Sequence, residues 1–197
     1  MRKGKPMKSA AIDHAYKPAV RIALATAIIL LIPFLAMQFT EEVVWGPADF
    51  AVAGFLLFGA GLTYELLARK TAGNIAYRAA IGVAVAASLI IVWVNLAVGL
   101  IGAEGNPVNL VYLGVLAVGI VGATIARFQP RGMARALLTM ALVQALVGVI
   151  ALFSRLGSSK SEALGVFFLN GFFVVLFAVS AWLFLRSSQK RPELGGS

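Results

Sequence analysis

Apolar residues in this chain gather into six runs, near 22–39, 50–68, 79–102, 108–126, 134–153 and 163–185, parted by short polar segments. Each run is close to the roughly 20 residues that carry a helix across about 30 Å of hydrocarbon. The pattern predicts an all-α, polytopic membrane bundle of six transmembrane helices. A basic tail occupies residues 1–21, the membrane domain 22–185, and a second polar tail 186–197.

The polar gaps then sort by charge. With the N-terminus placed on one side, that side receives Arg2, Lys3, Lys5, Lys8, Lys17, Arg21, Arg69, Lys70, Arg78, Arg127, Arg131, Arg135, Arg186, Lys190 and Arg191, whereas the other has only Arg155 and Lys160. Cytoplasmic loops carry such an excess of Lys and Arg, so both termini are expected in the cytoplasm. The basic start followed by an apolar run has the outline of a signal peptide. Its apolar part is too long, Pro33 interrupts it and no small-x-small cleavage site follows, so 22–39 reads as a retained span.

Composition sharpens this. A mean hydropathy of +0.92 and 60% hydrophobic residues exceed the apolar share of a soluble domain. The net charge of +9 would suggest nucleic acid in a soluble protein. Here the cations flank the spans on one side, where anionic headgroups attract them, so the lipid bilayer is the expected partner and nucleic acid is not. The absence of cysteine excludes disulfides, thiolate metal sites and Cys nucleophiles.

Three tandem in–out–in hairpins are suggested by spacing. Arg21, Arg78 and Arg135 open the odd spans at a 57-residue interval (78 − 21 and 135 − 78), and Ala27, Ala84 and Ala141 keep it. A bilayer of fixed thickness would also space arginines evenly, and both readings stay open. The even spans start with cap patterns: Gly46-Pro47-Ala48-Asp49, Asn106-Pro107-Val108-Asn109 and Ser159-Lys160-Ser161-Glu162. Ala80, Ala84 and Ser88, and Gly122 with Ala126, are small residues at four-residue steps and should face other helices. The sixth span carries Phe167, Phe168, Phe172, Phe173, Phe177, Trp182 and Phe184 around its circumference and is expected at the periphery.

Few polar residues remain inside. Glu65 and Arg69 stand four apart on the second span, as an ion pair near the interface or a proton or ion relay. Asn95, Gln144 and Asn170 lie within the third, fifth and sixth spans, where each amide must find a partner. Interhelical hydrogen bonds and a polar permeation path are the two readings. His14, the sole histidine, cannot supply paired ligation or a Ser-His pair in the membrane.

The stretch from Trp93 to Leu110, WVNLAVGLIGAEGNPVNL, resembles a segment of uncharacterised bacterial six-span inner-membrane proteins, with a weaker likeness at Trp45-Gly46-Pro47-Ala48-Asp49-Phe50. The resemblance implies a bacterial inner-membrane setting and carries no catalytic residue. Within the stretch, Asn106 and Asn109 are expected to serve the helix start, whereas Asn95 and Glu104 exceed what a turn needs. With Asp49 as third member they form a candidate outer-leaflet site for a partner helix, a lipid headgroup or a cation. Glu41, Glu42, Asp49, Glu104 and Glu162 all fall on the outer side, as an acidic rim or as oxygen ligands for a hard cation.

No P-loop, HExxH motif, Gly-rich dinucleotide loop or cluster of metal-ligating residues occurs, so neither an enzyme nor a cofactor is expected. Two classes remain. A non-catalytic bundle would assemble with, scaffold or regulate another membrane component or form a homo-oligomer; a small-solute or ion transporter or channel would use Asn95, Gln144, Asn170 and Glu65. Transporters often show inverted repeats and broken helices. The intervals here run in parallel, which favours the bundle.

Overall fold

The computed structural model describes residues 7–69, 73–97, 99–101, 106–153 and 160–189, with side chains of the first helix described from Tyr16 onward. All secondary structure among them is helical: α1 (Met7–Phe39), α2 (Pro47–Arg69), α3 (Ile75–Ala97), a 3-10 turn (Pro107–Leu110) running into α4 (Val111–Ile125), α5 (Pro130–Phe153) and α6 (Lys160–Gln189). Six helical segments are long and apolar enough to cross a membrane, from Tyr16–Phe39 to Ala163–Gln189. The expected all-α architecture with six spans is observed among the described residues, and the protein belongs to the multi-pass membrane class.

Two compact units divide the chain, Met1–Leu66 and Leu67–Ser197. In the first, α1 and α2 are antiparallel. A Cβ added at Gly61 would lie 2.6 Å from Ile22 Cγ2, so only glycine permits that approach. Phe50 closes the turn end, edge-on to Phe34 at 6.4 Å and to Trp45 at 5.2 Å. The start of α2 follows its cap pattern, because Asp49 Oδ2 accepts the Gly46 N–H at 2.7 Å while the Gly46 carbonyl accepts the Asp49 N–H at 3.1 Å.

The second unit departs from tandem hairpins. Its most extensive interface joins α5 to α6; α3 packs on α6, α4 packs on α5, and α3 and α4 meet only lightly. The chain neighbours α3 and α4 are thus not a packed hairpin, and the 57-residue interval does not dictate packing partners. Matching faces do. In α6, Ala163, Asn170, Phe173, Phe177, Ser180, Ala181, Phe184 and Ser187 are buried at three- and four-residue steps, a stripe that α5 and α3 share. Expected at the periphery, α6 is instead one of two central helices of this unit, the other being α5. Only part of its aromatic set faces outward, with Phe168 at 69%, Phe172 at 51% and Trp182 at 48% exposure.

Of the small residues expected at helix contacts, Ala80 is fully buried and a Cβ at Gly122 would approach Ala136 to 2.7 Å, while Ala84 and Ser88 are half-buried; Gly132 allows a similar approach, 2.6 Å from Ala126. Between α4 and α5 the chain makes a Schellman turn: Arg127 N–H donates to Thr124 O at 3.0 Å and Phe128 N–H to Ala123 O at 3.2 Å. Arg127 (φ 49°) and Phe128 (φ 59°) occupy the left-handed region where glycine is usual. The Tyr77 hydroxyl of α3 pins this turn by donating to Phe128 O at 2.7 Å.

The end of α6 also differs from expectation. Instead of ending where the polar tail was expected to begin at residue 186, the helix continues to Gln189, and Ser187 is buried. Asn74 explains this: its Oδ1 accepts the Tyr77 N–H at 3.0 Å, capping α3, while its Nδ2 donates to Ser187 O at 3.0 Å. One side chain satisfies a helix start and a helix end together.

A buried polar cluster as the candidate functional site

Three spans bring their interior polar residues to one point. Gln144 of α5 and Asn170 of α6 are 0% and 1% exposed, and Tyr112 of α4 is fully buried. Gln144 Nε2 donates to Asn170 Oδ1 at 2.9 Å. Asn170 Nδ2 donates to the backbone carbonyl of Val166, one turn earlier, at 2.8 Å. The Tyr112 hydroxyl lies 3.1 Å from Asn170 Nδ2 and 3.4 Å from its Oδ1, so it can accept from one or donate to the other. Gly148 makes room for this, because a Cβ there would stand 2.8 Å from Asn170 Cβ. The α5–α6 approach that brings Gln144 within reach therefore depends on a missing side chain one turn along α5.

The cluster is not saturated. Gln144 Oε1 is buried with no hydrogen-bond partner, and so is Asn95 Oδ1. Leaving such an acceptor unpaired costs on the order of 1–3 kcal/mol. Two amides and a phenol can align helices or accept one more donor. They offer neither a charged carboxylate to relay ions nor a base to activate a nucleophile.

Asn95 does not join them. Its Nδ2 reaches Asn109 O at 3.4 Å, a long contact across the α3–α4 connection. Asn109, expected to serve the start of α4, is instead buried and accepts the Ile101 N–H through Oδ1 at 2.8 Å, tying the α3–α4 connection to itself. Asn106 alone caps the helix start, its Oδ1 accepting the Val108 N–H at 3.0 Å. Asp49 belongs to the first unit, where its carboxylate is spent on Gly46; Glu104 lies outside the described residues, as does the side chain of Glu162. Glu65 and Arg69 both have interaction partners. No group of three His, Cys, Asp or Glu able to hold a metal occurs among the described residues.

Two further polar ties escaped the sequence reading. Ser180 of α6 donates to Ala80 O of α3 at 2.7 Å, and Tyr77 joins its hydrogen bond to an edge-on contact with Phe184 at 5.0 Å. The three- and four-residue steps from Asn170 through Phe173 and Phe177 to Ser180 are a signal for the first. Nothing in the local sequence marks Tyr77 or Tyr112, whose partners lie 51 and 58 residues away.

No known protein family, characterised protein or solved structure matches the chain.

Proposed function

We propose that this protein is a non-catalytic membrane bundle, resident in a bacterial inner membrane with both termini cytoplasmic, that assembles with, scaffolds or regulates another membrane component. The observation that carries this reading is the use of the interior amides: Gln144 and Asn170 bond to each other and to Tyr112 across α4, α5 and α6. A permeation path needs polar groups facing a channel, whereas these face one another. The orientation is supported by Arg69, Arg78, Arg127, Arg131, Arg135 and Arg186, which all fall at the helix ends expected on the cytoplasmic side.

The test combines two measurements on the full chain. Photo-crosslinking residues at the exposed positions Leu113, Ile120, Leu142, Phe168 and Val175 should trap a discrete polypeptide in intact membranes from one helix face and not from all. Reconstituted into planar bilayers, the protein should carry no conductance. Conductance that disappears in Gln144→Leu would establish the transporter or channel reading in its place.

A further inference from the structure

Between α4 and α5 runs an open groove of about 390 Å³ lined by Ala117, Val118, Val121, Gly122, Ala136 and Thr139, with Ile125 at its end. Its lining is almost wholly apolar, and the one hydroxyl is spent within the helix, Thr139 Oγ1 donating to Arg135 O at 3.1 Å. Along α4 the groove spans nine residues, Ala117 to Ile125, a rise of about 12 Å over eight steps of 1.5 Å. One leaflet of a hydrocarbon core about 30 Å thick is only slightly deeper. The groove therefore has the length of a lipid tail in one leaflet, and it opens laterally, where a tail would enter.

Its mouth is cationic. Arg131 and Arg135 precede Thr139 at four-residue steps, so the three share one face of α5, and Arg127 sits in the turn just beyond Ile125. Both α5 arginines are exposed, as is Arg127, and no carboxylate pairs with any of the three among the described residues. Guanidinium groups at a membrane interface with no anionic side chain beside them call for a phosphate. A second copy of the same face would bring three more arginines against these, and a partner helix would need a contact stripe longer than nine residues. We propose that this face binds one anionic phospholipid, its acyl chain along Ala117–Ile125 and its phosphate held by Arg131 and Arg135 with Arg127. The site stands apart from the buried amide cluster and does not depend on the assembly reading.

The experiment reconstitutes the full chain in bilayers of mixed phosphatidylglycerol and phosphatidylcholine, extracts it in mild detergent, and counts retained lipids by native mass spectrometry. Wild type should retain one phosphatidylglycerol, favoured roughly thirtyfold, as two cations near a surface at about 1 kcal/mol each imply. Arg131→Gln with Arg135→Gln should abolish the preference, and Arg131→Lys with Arg135→Lys should keep part of it. Ala117→Phe, at an exposed groove position, should remove retention of either lipid. Arg78→Gln, on the same side but away from the groove, should change nothing. Equal retention of both lipids by wild type, retention undiminished by Ala117→Phe, or equal losses in Arg78→Gln and the double glutamine variant would each overturn the proposal. So would a retained polypeptide in place of lipid. Helical circular dichroism and a monodisperse elution profile, required of every variant, separate lost binding from lost fold.

Discussion

Asn170 is the side chain on which most of the interior polar bonding converges, and this makes its neighbours' mutational costs unequal. Replacing it with alanine strands Gln144 Nε2 and the Tyr112 hydroxyl together. Replacing Gln144 with leucine removes one donor to Asn170 Oδ1, which keeps the Tyr112 hydroxyl at 3.4 Å, together with an acceptor that already lacks a partner. Thermal unfolding in detergent should therefore show Asn170→Ala destabilised by about 1–3 kcal/mol. Gln144→Leu should lose less than about 1 kcal/mol, in keeping with the average near 0.6 kcal/mol for interhelical hydrogen bonds in membranes. The reverse order would mean that Gln144, and not Asn170, holds the cluster. Glycines give a second contrast. Gly148→Ala puts a methyl 2.8 Å from Asn170 Cβ and should cost about 1–3 kcal/mol through overpacking. Gly171→Ala, with no atom within 4 Å, should be neutral or gain up to about 1 kcal/mol from helix propensity. Similar shifts for the two would show that the close α5–α6 approach is not what positions the amides.

Among the elements, the α4–α5 turn is the most constrained. A Schellman turn places its left-handed residue where glycine costs least, yet here Arg127 and Phe128 both stand there. The hydrogen bond from Tyr77 to Phe128 O helps to hold this conformation from α3. Arg127→Gly should relieve the left-handed strain and raise the unfolding temperature modestly, a gain of at most about 1 kcal/mol after glycine's added unfolded-state entropy. A lower unfolding temperature would mean that the arginine side chain contributes more than its backbone costs. Element by element, legibility in the sequence follows the physics. Helix count and approximate ends were readable because the bilayer sets span length, and the starts at Pro47 and Pro107 because cap chemistry is local. Asn74 is local too, and its position before α3 was a readable cap that the charge pattern overshadowed. The partnership of α3 with α6 was not readable, since it depends on how two buried stripes match in three dimensions. Abundant phenylalanine on α6 hid the three- and four-residue stripe that makes it central.

At the scale of the whole molecule, α3, α4, α5 and α6 are tied by polar bonds that cross helix boundaries: Asn74 to Ser187 O, Tyr77 to Phe128 O, Ser180 to Ala80 O, and the Tyr112–Asn170–Gln144 cluster. That the amides needed partners followed from their depth alone. Which partners they took did not, because Tyr112 offers no intramembrane signal of its own and Asn95 turned to the neighbouring connection. The candidate grouping of Asn95 with Asp49 and Glu104 was drawn from sequence proximity and loop charge; among the described residues Asp49 bonds to Gly46 and Asn95 Nδ2 to Asn109 O. On the proposed reading, polar groups in this interior bind helices to one another and do not line an aqueous route. Because the chain has no native cysteine, thiol labelling tests this directly. In right-side-out and inverted membranes, Gly73→Cys and Val44→Cys should each react with an impermeant reagent from one side, opposite to each other. Gln144→Cys and Ser180→Cys, at fully buried positions, should stay unmodified from both sides. Rapid modification of Gln144→Cys or Ser180→Cys from either aqueous phase would contradict the account.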